Sequence, residues 1–231
     1  QASSQSTTKS NTAQTTATST SKNKTNNSNY FTDKDKDSSY DESKASTVKL
    51  SGSSASVSGD GVAVSGSTVT ISKAGTYVIS GESDGVQIKV EAGDSDDVHI
   101  VLKGVTMTNT NAPISATKAG HVYLTLADGT TNTLSDSSSN NDEDADAVIF
   151  SKGDLTINGS GTLNIDAKKN NGIKANDTLH ITGGTYKITA VGDAFNVNDE
   201  LNITGTTMTI DADEDAVKVD NDDDTSVGTM Y

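Results

Sequence analysis

The sequence predicts an all-β fold: a right-handed parallel β-helix, a solenoid, with a disordered N-terminal tail. A five-residue word recurs as Asp146-Ala147-Val148-Ile149-Phe150, Asn171-Gly172-Ile173-Lys174-Ala175, Asp193-Ala194-Phe195-Asn196-Val197 and Asp215-Ala216-Val217-Lys218-Val219, its starts 25, 22 and 22 residues apart. Two further sets follow in each period. One is Leu155-Thr156-Ile157, Leu179-His180-Ile181 and Leu201-Asn202-Ile203; the other is Leu163-Asn164-Ile165, Tyr186-Lys187-Ile188 and Met208-Thr209-Ile210. A fixed period of this size marks a repeat architecture, and apolar residues two apart mark strands. Gly159-Ser160-Gly161, Gly183-Gly184 and Gly205 lie between the strands and let the chain turn sharply. Three short strands per period, stacked coil on coil, describe a parallel β-helix. No segment joins helical spacing to helix caps, which disfavours a leucine-rich horseshoe.

From the start of the chain, residues 1–29 are nearly all Ser, Thr, Asn, Gln, Ala and Lys. With no large apolar residue to bury, they read as a disordered spacer. The alternative is the tether of a surface lipoprotein whose lipidated Cys would precede Gln1. The first residue is Gln, not Met, which a removed signal segment accounts for. Residues 30–47 add the alternating charges Asp33-Lys34-Asp35-Lys36-Asp37 and read as more linker, so the expected division is 1–47 linker or tether and 48–231 β-helix. Strand alternation begins at Val48, and the stretch from there to Asp84 is expected to cap the N-terminal coil. The repeat word appears early at Asp84-Gly85-Val86 and Asn111-Ala112-Pro113-Ile114. Asp128 to Asp144 reads as a polar loop, and Val227 to Tyr231 as the start of a coil not completed, so a longer solenoid is expected.

Composition narrows the function. The formal charge is −15, from 32 acidic residues against 17 lysines and no arginine, which opposes phosphate-backbone binding. Without cysteine there is no disulfide or thiolate metal site. No run approaches the ~18 apolar residues of a membrane span.

Stacking the coils turns the first residue of each word into a ladder: Asp84, Asn111, Asp146, Asn171, Asp193, Asp215. The turn before that strand adds Asp211 and Asp213, and the turn after it adds Asp199 and Asp220. Rungs ~4.7–4.9 Å apart place like charges close together. Calcium takes six to eight oxygens, so an ion between rungs would join carboxylates from both. The candidate ligands are Asp146, Asn171, Asp193, Asp199, Asp211, Asp213, Asp215 and Asp220. The competing reading is turn chemistry, because Asp and Asn also bond nearby backbone. Asp211 to Asp215 lacks the Gly and terminal Glu of an EF-hand. His99, His121 and His180 are dispersed in sequence and read as outer-face residues rather than metal ligands. Alternation points Val148, Phe150, Ile173, Phe195 and Val217 inward, and Ile149, Lys174, Asn196 and Lys218 outward. The outward set is either a solvated face or a groove for an extended polysaccharide, with Lys174, Asn196 and Lys218 as its contacts.

The Asp-Ala-apolar-x-apolar word, the Leu-x-Ile-x-Gly-Gly-Thr-Tyr phrase at 179–186 and the Ser/Thr-rich leader resemble secreted proteins of the clostridial carbohydrate-binding β-helix family, over the span 48–231. That family is similar in fold to calcium-dependent pectate lyases. The resemblance implies calcium in the solenoid and polygalacturonate or cellulose as partner. It puts the calcium ligands on the ladder and turn acids, and the protein outside the cell or at its surface, with lipid attachment through the N-terminus as the one membrane contact. The expected function is calcium-dependent carbohydrate binding without catalysis. One alternative is a pectate lyase using Lys218 or Lys174 as base; another is a structural or adhesive solenoid. A lysine base needs a lowered pKa, and the neighbouring carboxylates oppose that. The outward series Asn164, Lys187, Thr209 supplies no regular threonine ladder, which disfavours ice binding.

Overall fold

A computed structural model describes residues 30–221, 223–224 and 226–231. The tail expected over 1–29 lies outside the described residues. What is described is almost wholly strand, arranged in an 8-stranded and a 13-stranded sheet. The larger sheet divides into two stacks, joined through the long strands Gly75–Asp84 and Asp97–Thr108. The first half of Asp97–Thr108 pairs with His121–Leu126 and its second half with Thr131–Ser135. Each period of the chain therefore adds one strand to each of three stacks. Ala147–Ser151, Leu155–Gly159 and Thr162–Ala167 belong to one such period; Asn171–Ala175, Thr178–Thr182 and Thr185–Ala190 belong to the next. Phe195–Val197, Glu200–Thr204 and Thr207–Ala212 follow in the same order. The pairings between successive periods are parallel, and both sheets end in open edges.

Register follows the apolar pattern. Leu155, Leu179 and Leu201 are directly paired, as are Ile157, Ile181 and Ile203. In the next stack Leu163, Tyr186 and Met208 align, and Ile165, Ile188 and Ile210. A slip of one residue would turn every one of these side chains to water. Burying each Leu or Ile contributes ~1.5–3 kcal/mol, and one continuous cluster runs from Val48 to Leu201. Ile203, Ile210 and the inward-pointing Val217 are only partly buried, because they lie at the end of the stack. Glycine is required where coils approach at the corner after the second strand. Gly183 has φ +128°, and a Cβ there would lie 2.7 Å from the Gly159 carbonyl oxygen.

At the N-terminal end, Ser46–Gly52 pairs in parallel with Gly75–Asp84 and antiparallel with Ser54–Ser58. Val62–Ser65 folds back antiparallel on Thr68–Ile71. These hairpin strands close the side of the stack that the first coil leaves open.

Three expectations need correction. Residues 30–47 are not a bare linker. Phe31 and Asp35 are buried, and Asp33–Lys36 forms a helical turn capped by Thr32. The reason is contact with a distant part of the chain, set out below. The stretch 128–144 is not all loop, since Thr131–Ser135 is a strand whose Leu134 falls between Met107 and Ile165. Its polar neighbours hide that single apolar residue in the sequence. Finally, Ala147, not Asp146, pairs with Asn171, and Ile149 with Ile173. Ile149 is therefore the inward residue and Phe150 faces outward. Phe150 remains buried because Ala112 and Ala145 cover it.

Candidate functional site

The first candidate face is the outside of the 8-stranded sheet. Lys89, Ser115, Phe150, Lys174, Asn196 and Lys218 follow one another in direct register. Of the three residues expected to meet a sugar chain, Lys218 is exposed. Lys174 is half-buried and donates to Asp146 Oδ1 at 2.7 Å. Asn196 Nδ2 donates to Asp193 Oδ2 at 2.8 Å. The structure thus brings the three into one row but engages two of them internally.

The acidic ladder resolves into different roles. Asp146, displaced by one residue from the rung, receives Lys174 and Asn170 Nδ2. Asn171 Oδ1 accepts the Asp193 N–H at 3.2 Å, and Asp193 Oδ1 accepts the Asp215 N–H at 3.1 Å. Each of these rungs ties its coil to the next through backbone, which is the turn chemistry that competed with the metal reading. Asp211, Asp213, Asp215 and Asp220 are exposed. Asp199 is half-buried and accepts from Asn221 Nδ2 at 2.7 Å.

Charge crowds instead at the corner after the first strand, around Asp154, Asp177 and Asp199. Burial pushes the Asp177 carboxyl above its ordinary value, and the charges of Asp154 and Asp199 push the same way. No described residue donates a hydrogen bond to the Asp177 carboxylate, whereas Asp154 Oδ1 accepts the Thr178 N–H at 3.1 Å. Among the described residues no three Asp, Glu, His or Cys side chains gather closely enough to hold a metal ion. The acids form a column, with one carboxylate per rung.

A third feature was not expected. The outward positions of the second stack form two in-register rows. One reads His99, Tyr123, Thr156, His180, Asn202; the other Val101, Thr125, Asn158, Thr182, Thr204. The histidines, far apart in sequence, therefore share one face with a tyrosine and several hydroxyl and amide groups. Residues 31–40 lie across it. Thr156 Oγ1–H donates to Asp35 Oδ1 at 2.6 Å. Thr182 Oγ1–H and Asn158 Nδ2 donate to the Asp35 carbonyl at 2.6 and 3.2 Å, and Asn158 Nδ2 also reaches the Asp37 carbonyl. Phe31 meets His180 edge-on, Lys34 stands over the Tyr123 ring and pairs with Asp97, and Tyr40 meets His99.

One proton per hydroxyl fixes the histidine tautomers. The Thr156 and Thr125 protons go to Asp35 and Asn158 Oδ1. Each hydroxyl oxygen, at 2.8 Å from an imidazole Nε2, must then accept. His121 and His99 are accordingly Nε2–H donors, and burial lowers the pKa of both. For Asp35, burial acts to raise the pKa, but the bonds from Thr156 and Thr32 together hold it below its ordinary value. His180 Nδ1 lies 3.2 Å from Asp35 Oδ2 without hydrogen-bond alignment.

The outward faces of these stacks carry polar groups in register. The chain belongs to the family of carbohydrate-binding domain-containing proteins, whose pattern matches residues 65–231. A carbohydrate-binding domain-containing protein of Acetivibrio thermocellus is 38% identical over 126 residues. That match covers 52% of this chain and 44% of the relative, so the chain spans less than half the length of that relative. A solved structure, a polysaccharide lyase-like protein from C. thermocellum studied as a gadolinium derivative, superposes with a TM-score of 0.77 at 34% identity. The superposition covers 80% of this chain and 78% of that one.

Proposed function

We propose that this protein is a non-catalytic, calcium-dependent polysaccharide-binding protein that works outside the cell or at its surface, built as a right-handed parallel β-helix. Polygalacturonate and cellulose are the polysaccharides proposed. The observation that carries the reading is the open sheet face on which polar groups stand in register over three successive strands, Lys174, Asn196 and Lys218. A repeat of ~4.8 Å suits a chain of repeating sugars. Family membership supports carbohydrate as the ligand class.

For calcium, the corner column of Asp154, Asp177 and Asp199 does not gather into a ready-made site, but its carboxylates are freer than the side-chain oxygens of the ladder of Asn171 and Asp193. The ladder oxygens already accept backbone N–H groups, whereas Asp177 is crowded by like charge and lacks a donor. The donors there are carboxylate oxygens, the kind that calcium prefers. Bound there, calcium would offset the repulsion and present positive charge to a uronate.

A lyase is the second reading, favoured by the likeness to a polysaccharide lyase-like structure. Its weakness is the base. Lys174 is engaged with Asp146 at 2.7 Å, and Lys218 is exposed. Co-sedimentation with cellulose and retention in polygalacturonate gels, each with calcium and with chelator, test the binding reading. Retention that needs calcium is expected; failure to bind either polysaccharide would overturn it.

A further inference from the structure

We propose that the outward face of the second stack is a glycan-binding track, and that the chain's own residues 31–40 hold it shut. The inference deepens the polysaccharide reading and rests on it. The path of the segment is the first argument. Its contacts run from His180 under Phe31, through Thr156 under Asp35 and Tyr123 beside Lys34, to His99 under Tyr40. His180, Thr156, Tyr123 and His99 are successive rungs of one row. The segment therefore travels along the stack, across the strands, as an extended sugar chain on this face would.

The second argument is what the face receives. It takes a carboxylate at Thr156, and carbonyl oxygens at Asn158 and Thr182. These are donors to oxygen, with Tyr123 and the imidazoles as flat surfaces beside them. An acidic polysaccharide offers the same groups: a carboxylate, hydroxyl and ring oxygens, and sugar faces that stack on aromatic rings. A cover with a purely structural role would be expected to bury apolar surface. This one buries Phe31 but otherwise covers hydroxyls, amides and imidazoles, and leaves His180 Nδ1 without a hydrogen-bond partner.

The third argument is how the segment is attached. At its C-terminal end Tyr40 and Ala45 pack on an apolar cluster of Val78, Val101 and Ala127, and the chain continues into the strand Ser46–Gly52. The Phe31–Asp37 end is held by Phe31 against His180 and by polar contacts that water or a sugar can replace. The segment is thus anchored at one end and exchangeable at the other, the arrangement of a displaceable strap.

A single variant tests both states. The chain has no cysteine, so Asp35→Cys with Thr156→Cys can form one cross-link, between side chains that touch in the structure. Oxidised, the strap is locked; reduced, it has lost its carboxylate contact. Binding of oligogalacturonate, measured in calcium by calorimetry, should be at least tenfold tighter in the reduced form. Asp35→Ala with Phe31→Ala should likewise bind at least tenfold more tightly than the unaltered chain, and adding Tyr123→Ala should abolish that gain. Equal affinity of locked and reduced forms, or a gain that survives Tyr123→Ala, overturns the strap. If the unaltered chain binds and release changes nothing, the strap falls and the polysaccharide reading stands. If no form binds oligogalacturonate or cellulose, both fall.

Discussion

Replacing Asp35 by Ala isolates how residues 31–37 are held. Asp35 is 1% exposed, and its carboxylate accepts from Thr156 Oγ1 at 2.6 Å and from the Thr32 N–H and hydroxyl at 2.7 and 2.8 Å. A hydrogen bond to a charged group contributes ~1.5–3 kcal/mol, and a buried donor left without a partner costs ~1–3 kcal/mol. Thr156 is fully buried, so it would lose its acceptor without water to replace it. The Thr32 bonds are local and partly recoverable by solvent. Together these place the loss near ~3 kcal/mol, which is about two orders of magnitude in an opening equilibrium. Amide hydrogen exchange resolved by peptide is the assay. Peptides covering 31–37 should exchange ~100-fold faster, while those covering Leu179 to Ile181 in the core keep their protection. Unchanged exchange at 31–37, or an equal increase across the core, would refute the reasoning.

Other outcomes follow from the same contacts. Burial lowers the pKa of His99 and His121 from an ordinary value of 6.5. The unfolded chain therefore takes up these protons first as the pH falls, and stability present above 6.5 is lost below it. The melting midpoint should drop between pH 7.5 and 5.5, ~2–4 °C per kcal/mol lost, and His99→Gln with His121→Gln should flatten that drop. Asp136 and Asp177, whose pKa values are raised from 3.8, act in the opposite sense nearer the carboxylate range. Gly183→Ala should cost ~1–3 kcal/mol in denaturant titration, because it adds a Cβ at positive φ against the Gly159 carbonyl. Asp177→Asn should stabilise the chain in chelator by roughly 1 kcal/mol, because it relieves the solvent-screened repulsion from Asp154 and Asp199. The same change should remove most of the gain in melting temperature on adding calcium. An undiminished calcium response would exclude that corner as the ion site.

The fold was legible where the side chains that decide it lie on one strand. Leu179 and Ile181 announce a strand, and their matches 24 residues before and 22 after set the register that the structure shows. The word at Asp146 misled because its resemblance to the word at Asn171 outweighed the burial demand of Ile149. Pairing follows Ile149 between Ile114 and Ile173, which moves Asp146 off the rung. The outward placing of the histidines was legible, but the segment that covers them was not. Asp35 meets Thr156 across 121 residues of sequence, and an alternating charged segment carries no periodic signal of burial. A hint was present in the outward positions of the second strands, where His, Thr and Asn recur in place of Lys and Glu. Phe31 and Tyr40, aromatic residues set in a polar linker, were the other hint.

Calorimetric titration of oligogalacturonate into the full chain, in calcium and again in chelator, tests the central claim most directly when ultraviolet absorbance of unsaturated product is followed in parallel. The account predicts saturable binding in calcium, at least tenfold weaker binding in chelator, and no absorbance change. Absence of binding in calcium, equal binding in chelator, or accumulation of unsaturated product would contradict it.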